Sequence, residues 1–345
     1  MPLIIRKSVE SAEDLWVCGN MKTFLIFIVI FGELLGWSNA QTAVDNFSRQ
    51  FLGTPLFAES NIANAEVSPQ QDSKVEPLQT FSLGQIFKDP QKSPNSQNPQ
   101  ISAISAILLD INSGKILFEQ NADEVRPIAS IVKIITALVV LDNVKKDQTL
   151  VISGIGLSVA EAGSNIWFET GEELKVLDVV KAMLIASGND AAYELANFYG
   201  GGDVARFVEM MNQKVADLGF KSMRFSDPAG IESGDIASAR DLANLGRILL
   251  RKPELADFVS KPQSEIVSVD GQNRHELKTT NELLKDSSMH IFGIKTGTTD
   301  EAGQCLLAAA ERDGHKLISV VLNSPDRFSE TRTIINWGFD NFIWP

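Results

Sequence analysis

The stretch Ser130-Ile-Val-Lys133-Ile-Ile-Thr-Ala-Leu-Val-Val-Leu141 decides how this chain is read. From Ile131 to Leu141 the only charged residue is Lys133. The run is long for a strand and suits a buried helix, even though its Ile and Val content leans toward β. On a helix, residues three apart share a face, so Ser130 and Lys133 project together. A lysine among Ile, Val and Leu loses hydration of its charge, which draws its pKa down toward neutrality. A neutral amine within hydrogen-bond reach can take the proton of a serine hydroxyl and turn it into a nucleophile. The pair predicts acyl transfer without histidine.

An S-x-x-K spacing arises by chance about once or twice in a chain of this size, so the pair needs further support. Ser187-Gly188-Asn189 and Lys295-Thr296-Gly297 follow it in that order. K-T-G is expected by chance in roughly one such chain in ten. Ser93-Pro94-Asn95 also fits S-x-N, but it precedes Ser130 and sits in a Pro/Asn/Gln-rich stretch. Taken in order, the three elements form the signature of penicillin-binding proteins and class A β-lactamases.

Arg126-Pro-Ile-Ala-Ser130-Ile-Val-Lys133, Ser187-Gly-Asn-Asp190, Ser238-Ala-Arg-Asp241, Ile294-Lys-Thr-Gly-Thr-Thr-Asp300 and Trp337-Gly-Phe339 together resemble the low-molecular-mass, serine-type D-alanyl-D-alanine carboxypeptidases. The resemblance runs from about Ile101 to Phe342. It implies an α/β (α+β) domain of the serine β-lactamase and transpeptidase-like fold: a central antiparallel sheet flanked by helices, with an adjoining helical lobe. It implies removal of the terminal D-Ala from peptidoglycan pentapeptide stems through an acyl-serine intermediate, with β-lactams acylating the same serine. On this resemblance Ser130 attacks and Lys133 takes its proton. The N–H groups of Ser130 and Thr298 form the oxyanion hole, as a developing negative charge requires. Ser187 and Lys295 return the proton to the leaving nitrogen, and Asn189 holds the substrate amide. Thr296 and Thr298 meet the terminal carboxylate, with Gly297 letting the peptide lie against the strand. Arg327, ten residues before Trp337, aligns with an arginine near that carboxylate, although Arg332 stands close by.

Three other functions remain to be compared. A D-alanyl-D-alanine endopeptidase of the same family has a similar Val125-Arg126-Pro127-Ile128-Ala129-Ser130 segment; the Gly in S-G-N, where that group often carries an acid, favours the carboxypeptidase. A class A β-lactamase calls for a glutamate in an E-x-x-L-N context after the second motif, and the sequence has none. An inactive wall-binding scaffold fits poorly with a full set of catalytic side chains.

Composition adds bounds. The net charge of −13 argues against nucleic acid and anionic membrane surfaces as partners. Cys18 and Cys305 are too few for a disulfide framework, and Cys305 is expected in the core. His275, His290 and His315 lack metal-ligand spacing, so neither a metal nor another cofactor is expected. Residues 1–40 read as a signal peptide or N-terminal anchor, with Lys22, the apolar Thr23 to Phe31 and Ser38-Asn39-Ala40; Met21 is an alternative start. Residues 41–100 read as a linker, polar and proline-punctuated from Asp89 to Gln100. Residues 101–345 form the catalytic domain, expected outside the cytoplasm. Longer family members continue into a β-rich domain and a membrane helix, so any tether here is expected from the N-terminal segment.

Within that domain, Ala103 to Asp110 and Ile116 to Glu119 predict a hairpin around Asn112-Ser113-Gly114. Val204, Phe207, Val208, Met211, Val215 and Leu218 mark one helical face, capped by Asp203 and Gly219. Ser238 with Asp241 predicts a cap for the next helix, which Pro253 ends. Ile291 to Thr298 predicts the K-T-G strand, followed by a hairpin around Asp313-Gly314 and a closing helix from Phe328 to Phe342.

Overall fold

The computed structural model describes residues 89–159, 163–286 and 288–345. The expected signal or anchor segment lies outside the described residues, as does the linker up to Lys88. Five strands form the central sheet: β1 (Ser105–Asp110), β2 (Ile116–Gln120), β3 (His290–Thr299), β4 (Gly303–Arg312) and β5 (His315–Ser324). Their order is β3-β4-β5-β1-β2, antiparallel throughout. The K-T-G strand is therefore an edge, and its free side is available to other elements.

The alternation of side chains across each strand divides the interior in two. Ile107, Leu109, Leu307, Ala309, Ile318 and Val320 join one core, while Ala106, Leu108, Leu306, Ala308, Leu317 and Val321 join the other. Both faces being covered explains why Cys305 to Ala310 reads as an unbroken apolar run and Leu317 to Leu322 as one interrupted only by Ser319. Cys305 is fully buried.

Beside the sheet stand α1 (Lys133–Asn143), α2 (Val176–Ile185), α3 (Asn189–Gly200) and α4 (Val204–Asp217), the expected helical lobe. Asp203 caps α4, accepting from the N–H groups of Ala205 and Arg206, and Phe207, Met211 and Val215 are its buried face. Next come α5 (Ala239–Leu250), capped by Ser238 through the Asp241 N–H, and α6 (Pro253–Val259). Pro253 opens α6 instead of ending α5: at the first helical position its missing N–H has no bond to lose. The last helix is α7 (Arg327–Asn341), whose Ile334 and Ile335 pack into the second core.

Part of the expected linker belongs to the domain. Gln91 and Lys92 pair with Ile343 and Phe342, and Gln97 O accepts from Trp337 Nε1 at 2.5 Å. Backbone pairing and an indole donor engage this polar stretch, for which hydrophobic patterning gave no sign.

Candidate active site

Ser130 stands in a 3₁₀ turn, Ala129–Val132, that runs directly into α1. The turn opens on a left-handed Ala129, with φ of 50°, a costly conformation for a residue with a Cβ. It is kept by the contacts on either side, and it aims Ser130 into a cleft of about 300 Å³. Lys133 Nζ is 2.9 Å from Ser130 Oγ, and it also donates to Asn189 Oδ1 at 2.7 Å and Ala229 O at 2.5 Å. Three acceptors fill the three donor positions of an ammonium, yet no carboxylate among the described residues bonds to it directly.

Lys133, Phe207 and Lys295 are the largest fully buried side chains among the described residues. Two of these three carry an amine. Burial draws the Lys133 pKa from 10.5 down to about 7, against the opposing pull of Asp227, Asp235 and Asp190. Lys295 is drawn well below its ordinary value by burial first, and then by the nearby cations Lys133 and Arg327. Its Nζ donates to Ser187 Oγ at 2.9 Å and Thr296 O at 3.0 Å. Ser187 also has a positive φ, 62°, in the bend between α2 and α3. Backbone strain of this kind concentrates at sites where side-chain direction matters.

The predicted site residues converge. Ser130, Ser187, Asn189, Thr296, Gly297, Thr298 and Arg327 all line the cleft. Lys133 and Lys295 sit beneath its floor, touching the hydroxyls of Ser130 and Ser187. Asn189 is the first residue of α3, and its Oδ1 accepts from Lys133. The Thr296 hydroxyl meets that of Thr280 at 2.5 Å, while the Thr298 hydroxyl contacts Gly297 O and Arg327.

Gly297 has a different reason from the expected one. A Cβ there would lie 2.5 Å from Ile128 O and 3.3 Å from Ser130 N, so the bare backbone lets β3 close on the Ser130 turn. The requirement comes from the protein's own packing, before any ligand is considered.

Of the two candidate arginines, Arg327 is the one at the cleft. Its Nη1 donates to Gly297 O at 3.0 Å and to Thr298 Oγ1. Arg332 is paired with Asp286 at 3.0 Å. A cation at the first position of a helix opposes the macrodipole, so the contacts with β3 are what justify its place.

Several cleft residues carry no motif: Gly163, Ser164, Gly230, Ile231 and Thr280. Asp190 holds the Ser164 side in place, accepting from the N–H groups of Ile166 at 3.0 Å and Trp167 at 2.7 Å. Asp227-Pro228-Ala229-Gly230 is a turn signal, and it was the one available clue to the Lys133–Ala229 bond.

A serine and a lysine one helical turn apart, facing an edge strand that carries a second buried lysine, define the serine β-lactamase and transpeptidase-like class of fold. Comparison with known proteins agrees. Residues 92–326 match the Peptidase_S11 family model, described as D-alanyl-D-alanine carboxypeptidase. The chain is 36% identical over 258 residues to the D-alanyl-D-alanine carboxypeptidase DacA of Escherichia coli K12, covering 71% of this chain and 62% of that protein. It is 32% identical over 241 residues to a D-alanyl-D-alanine endopeptidase of Pseudomonas aeruginosa, covering 70% and 77%. The Streptomyces K15 DD-transpeptidase superposes with a TM-score of 0.66 at 30% identity, covering 71% of this chain and 99% of that one. This chain belongs to the D-alanyl-D-alanine carboxypeptidase family. It spans about three-fifths of the length of its E. coli relative.

Proposed function

We propose that this protein is a serine-type D-alanyl-D-alanine carboxypeptidase that removes the terminal D-Ala from peptidoglycan pentapeptide stems. The observation that carries the reading is the 2.9 Å approach of Lys133 Nζ to Ser130 Oγ in a buried site, with the amine near neutrality. Neutral Lys133 takes the hydroxyl proton as Oγ attacks the carbonyl of the penultimate D-Ala. The oxyanion is met by the N–H groups of Ser130 and Thr298. Collapse breaks the peptide C–N bond, and the leaving nitrogen gains a proton through Ser187 and Lys295. Water then hydrolyses the Ser130 ester and frees the shortened stem. Asn189 fixes Lys133 and presents its amide to the substrate, while Thr296, Thr298 and Arg327 receive the terminal carboxylate.

This substrate places the reaction outside the cytoplasm, and β-lactams, which imitate the D-Ala-D-Ala unit, acylate Ser130. No helix among the described residues is long and apolar enough to cross a membrane.

The test is to incubate the chain with a pentapeptide stem and, separately, with a crosslinked stem dimer, following products by mass spectrometry. Release of free D-Ala from the stem, absent in Ser130→Ala, is the expected outcome. Cleavage of the dimer with an intact stem would assign the chain to the endopeptidases instead.

A further inference from the structure

Lys133 is held from behind by a loop outside all three motifs. Residues Asp227 to Glu232 close around one carboxylate. Asp227 Oδ1 accepts from the N–H groups of Ala229 and Gly230 at 2.6 and 2.7 Å. Oδ2 accepts from those of Ile231 and Glu232 at 2.9 and 2.7 Å. Four bonds to one buried carboxyl group fix the loop firmly.

The loop so shaped touches the catalytic helix and the nucleophile turn at three points. Ala229 O accepts from Lys133 Nζ at 2.5 Å. Pro228 O accepts from the hydroxyl of Thr136, one turn further along α1, at 2.8 Å. Gly230, with φ of 82°, lies so close that a Cβ would stand 2.2 Å from Ala129 O and 2.7 Å from Ser130 N. The left-handed Ala129 is thus pressed from this side.

Turns of this kind are closed by Asp as well as Asn, but a buried carboxylate costs hydration. Here the charge has a neighbour. Asp235 accepts through Oδ1 from the N–H groups of Ser226 and Asp227, and its carboxyl group also meets that of Asp227. Burial and the adjacent Asp227 carboxylate push the Asp235 pKa up to about 8. Asp235 therefore keeps its proton more readily than an ordinary carboxyl group, beside Asp227 and behind the lysine.

We propose that Asp227 is a positioning residue of the acyl-transfer site: its carboxylate folds the loop that offers Ala229 O to Lys133 and braces the turn bearing Ser130. The proposal rests on the carboxypeptidase reading above. Other charged or titratable groups around this centre are Asp190 from α3, Lys295 from β3, and Asp235, Glu232 and Tyr193 around the loop. Asp227 heads the groups that favour the charged form of Lys133, so removing its charge should extend the neutral amine to lower pH.

The test measures the second-order rate of labelling by a fluorescent penicillin from pH 5 to 9 for the wild type, Asp227→Asn and Asp227→Ser. The Ser hydroxyl can still accept from Ala229 and Gly230, so this variant keeps half of the loop's bonds. Both variants should lose about 10- to 100-fold in the plateau rate through misplacement of the lysine and serine. In an Asp235→Asn background, where the second carboxyl group cannot ionise in its place, the acidic inflection of both variants should also move down by about one pH unit relative to Asp235→Asn alone. A residue that only supports folding would lower the labelled fraction and leave the inflection in place. An unmoved inflection, or failure of both variants to fold, overturns the proposal. A wild type that does not label at all refutes the acyl-transfer reading and takes this proposal with it.

Discussion

Lowering the pH below neutrality should silence acylation by protonating a single buried amine. Lys133 has its pKa drawn from 10.5 to about 7, chiefly by burial. Its neutral fraction is then about one half at pH 7, about one tenth at pH 6 and about nine tenths at pH 8. At the ordinary value of 10.5, only about 3 in 10⁴ of the molecules would hold a competent base at pH 7. Burial therefore raises the competent fraction by about three orders of magnitude. The second-order rate of acylation by a penicillin, measured by stopped flow, should rise about tenfold from pH 5 to 6 and level off above pH 8. The same shift has a stability consequence of defined sign. Between pH 7 and 10.5 the unfolded chain binds a proton at Lys133 that the folded chain does not, so raising the pH through this window stabilises the fold. Measured by urea denaturation against Lys133→Met, which has no amine to titrate, the wild type should gain about 2 kcal/mol between pH 7 and 9. A rate that keeps climbing to pH 10, or a gap between the two proteins that ignores pH, would refute a near-neutral Lys133.

Two further substitutions probe the walls of the cleft. Gly297→Ala places a Cβ 2.5 Å from Ile128 O, where backbone must yield, so it should cost about 1–3 kcal/mol in denaturation and slow penicillin labelling by about two orders of magnitude. Wild-type labelling in that variant would contradict the close approach of β3 to the Ser130 turn. Arg327→Gln removes a half-exposed guanidinium from β3, and should raise KM for a stem with a free terminal carboxylate about tenfold or more while leaving kcat nearly unchanged. An unchanged KM would place the carboxylate elsewhere.

How much of this was legible in the sequence depended on the range of the interaction. Ser130 and Lys133 are three residues apart, and helix geometry alone brings them together. The Asp203 and Ser238 caps are equally local, and were read correctly for that reason. Pro253 was misread because the same residue can follow one helix or open the next. The pairing of β1 with β5, joining Ser105 to Leu322, spans most of the domain, and no periodicity in either strand announces its partner. The edge position of β3, on which the cleft depends, follows from that order and was equally hidden. The motif did supply Lys295, but not its burial nor its contact with Ser187. Only the Asp227–Gly230 turn signal pointed toward Ala229, because its part is played by a backbone carbonyl, which every residue has.

The surroundings of the two buried lysines also divide their labour in the proposed reaction. Asp227, Asp235 and Asp190 act on Lys133, and all three favour its protonated form. The neighbours acting on Lys295 are Lys133 and Arg327, both cations, and both disfavour its protonated form. When Ser130 gives up its proton, Lys133 becomes the ammonium that the carboxylates behind it can tolerate. That new charge further disfavours a proton on Lys295. The cleft is thus built to hold one added proton at a time, on the side of the nucleophile. In the proposed reaction Lys295 orders the Ser187 hydroxyl, and the proton that Lys133 releases reaches the leaving nitrogen through that Ser187–Lys295 pair. This ordering makes Lys133 the base on electrostatic grounds as well as by distance, since interchanging the two roles would leave an ammonium at position 295 facing two cations in a dry site.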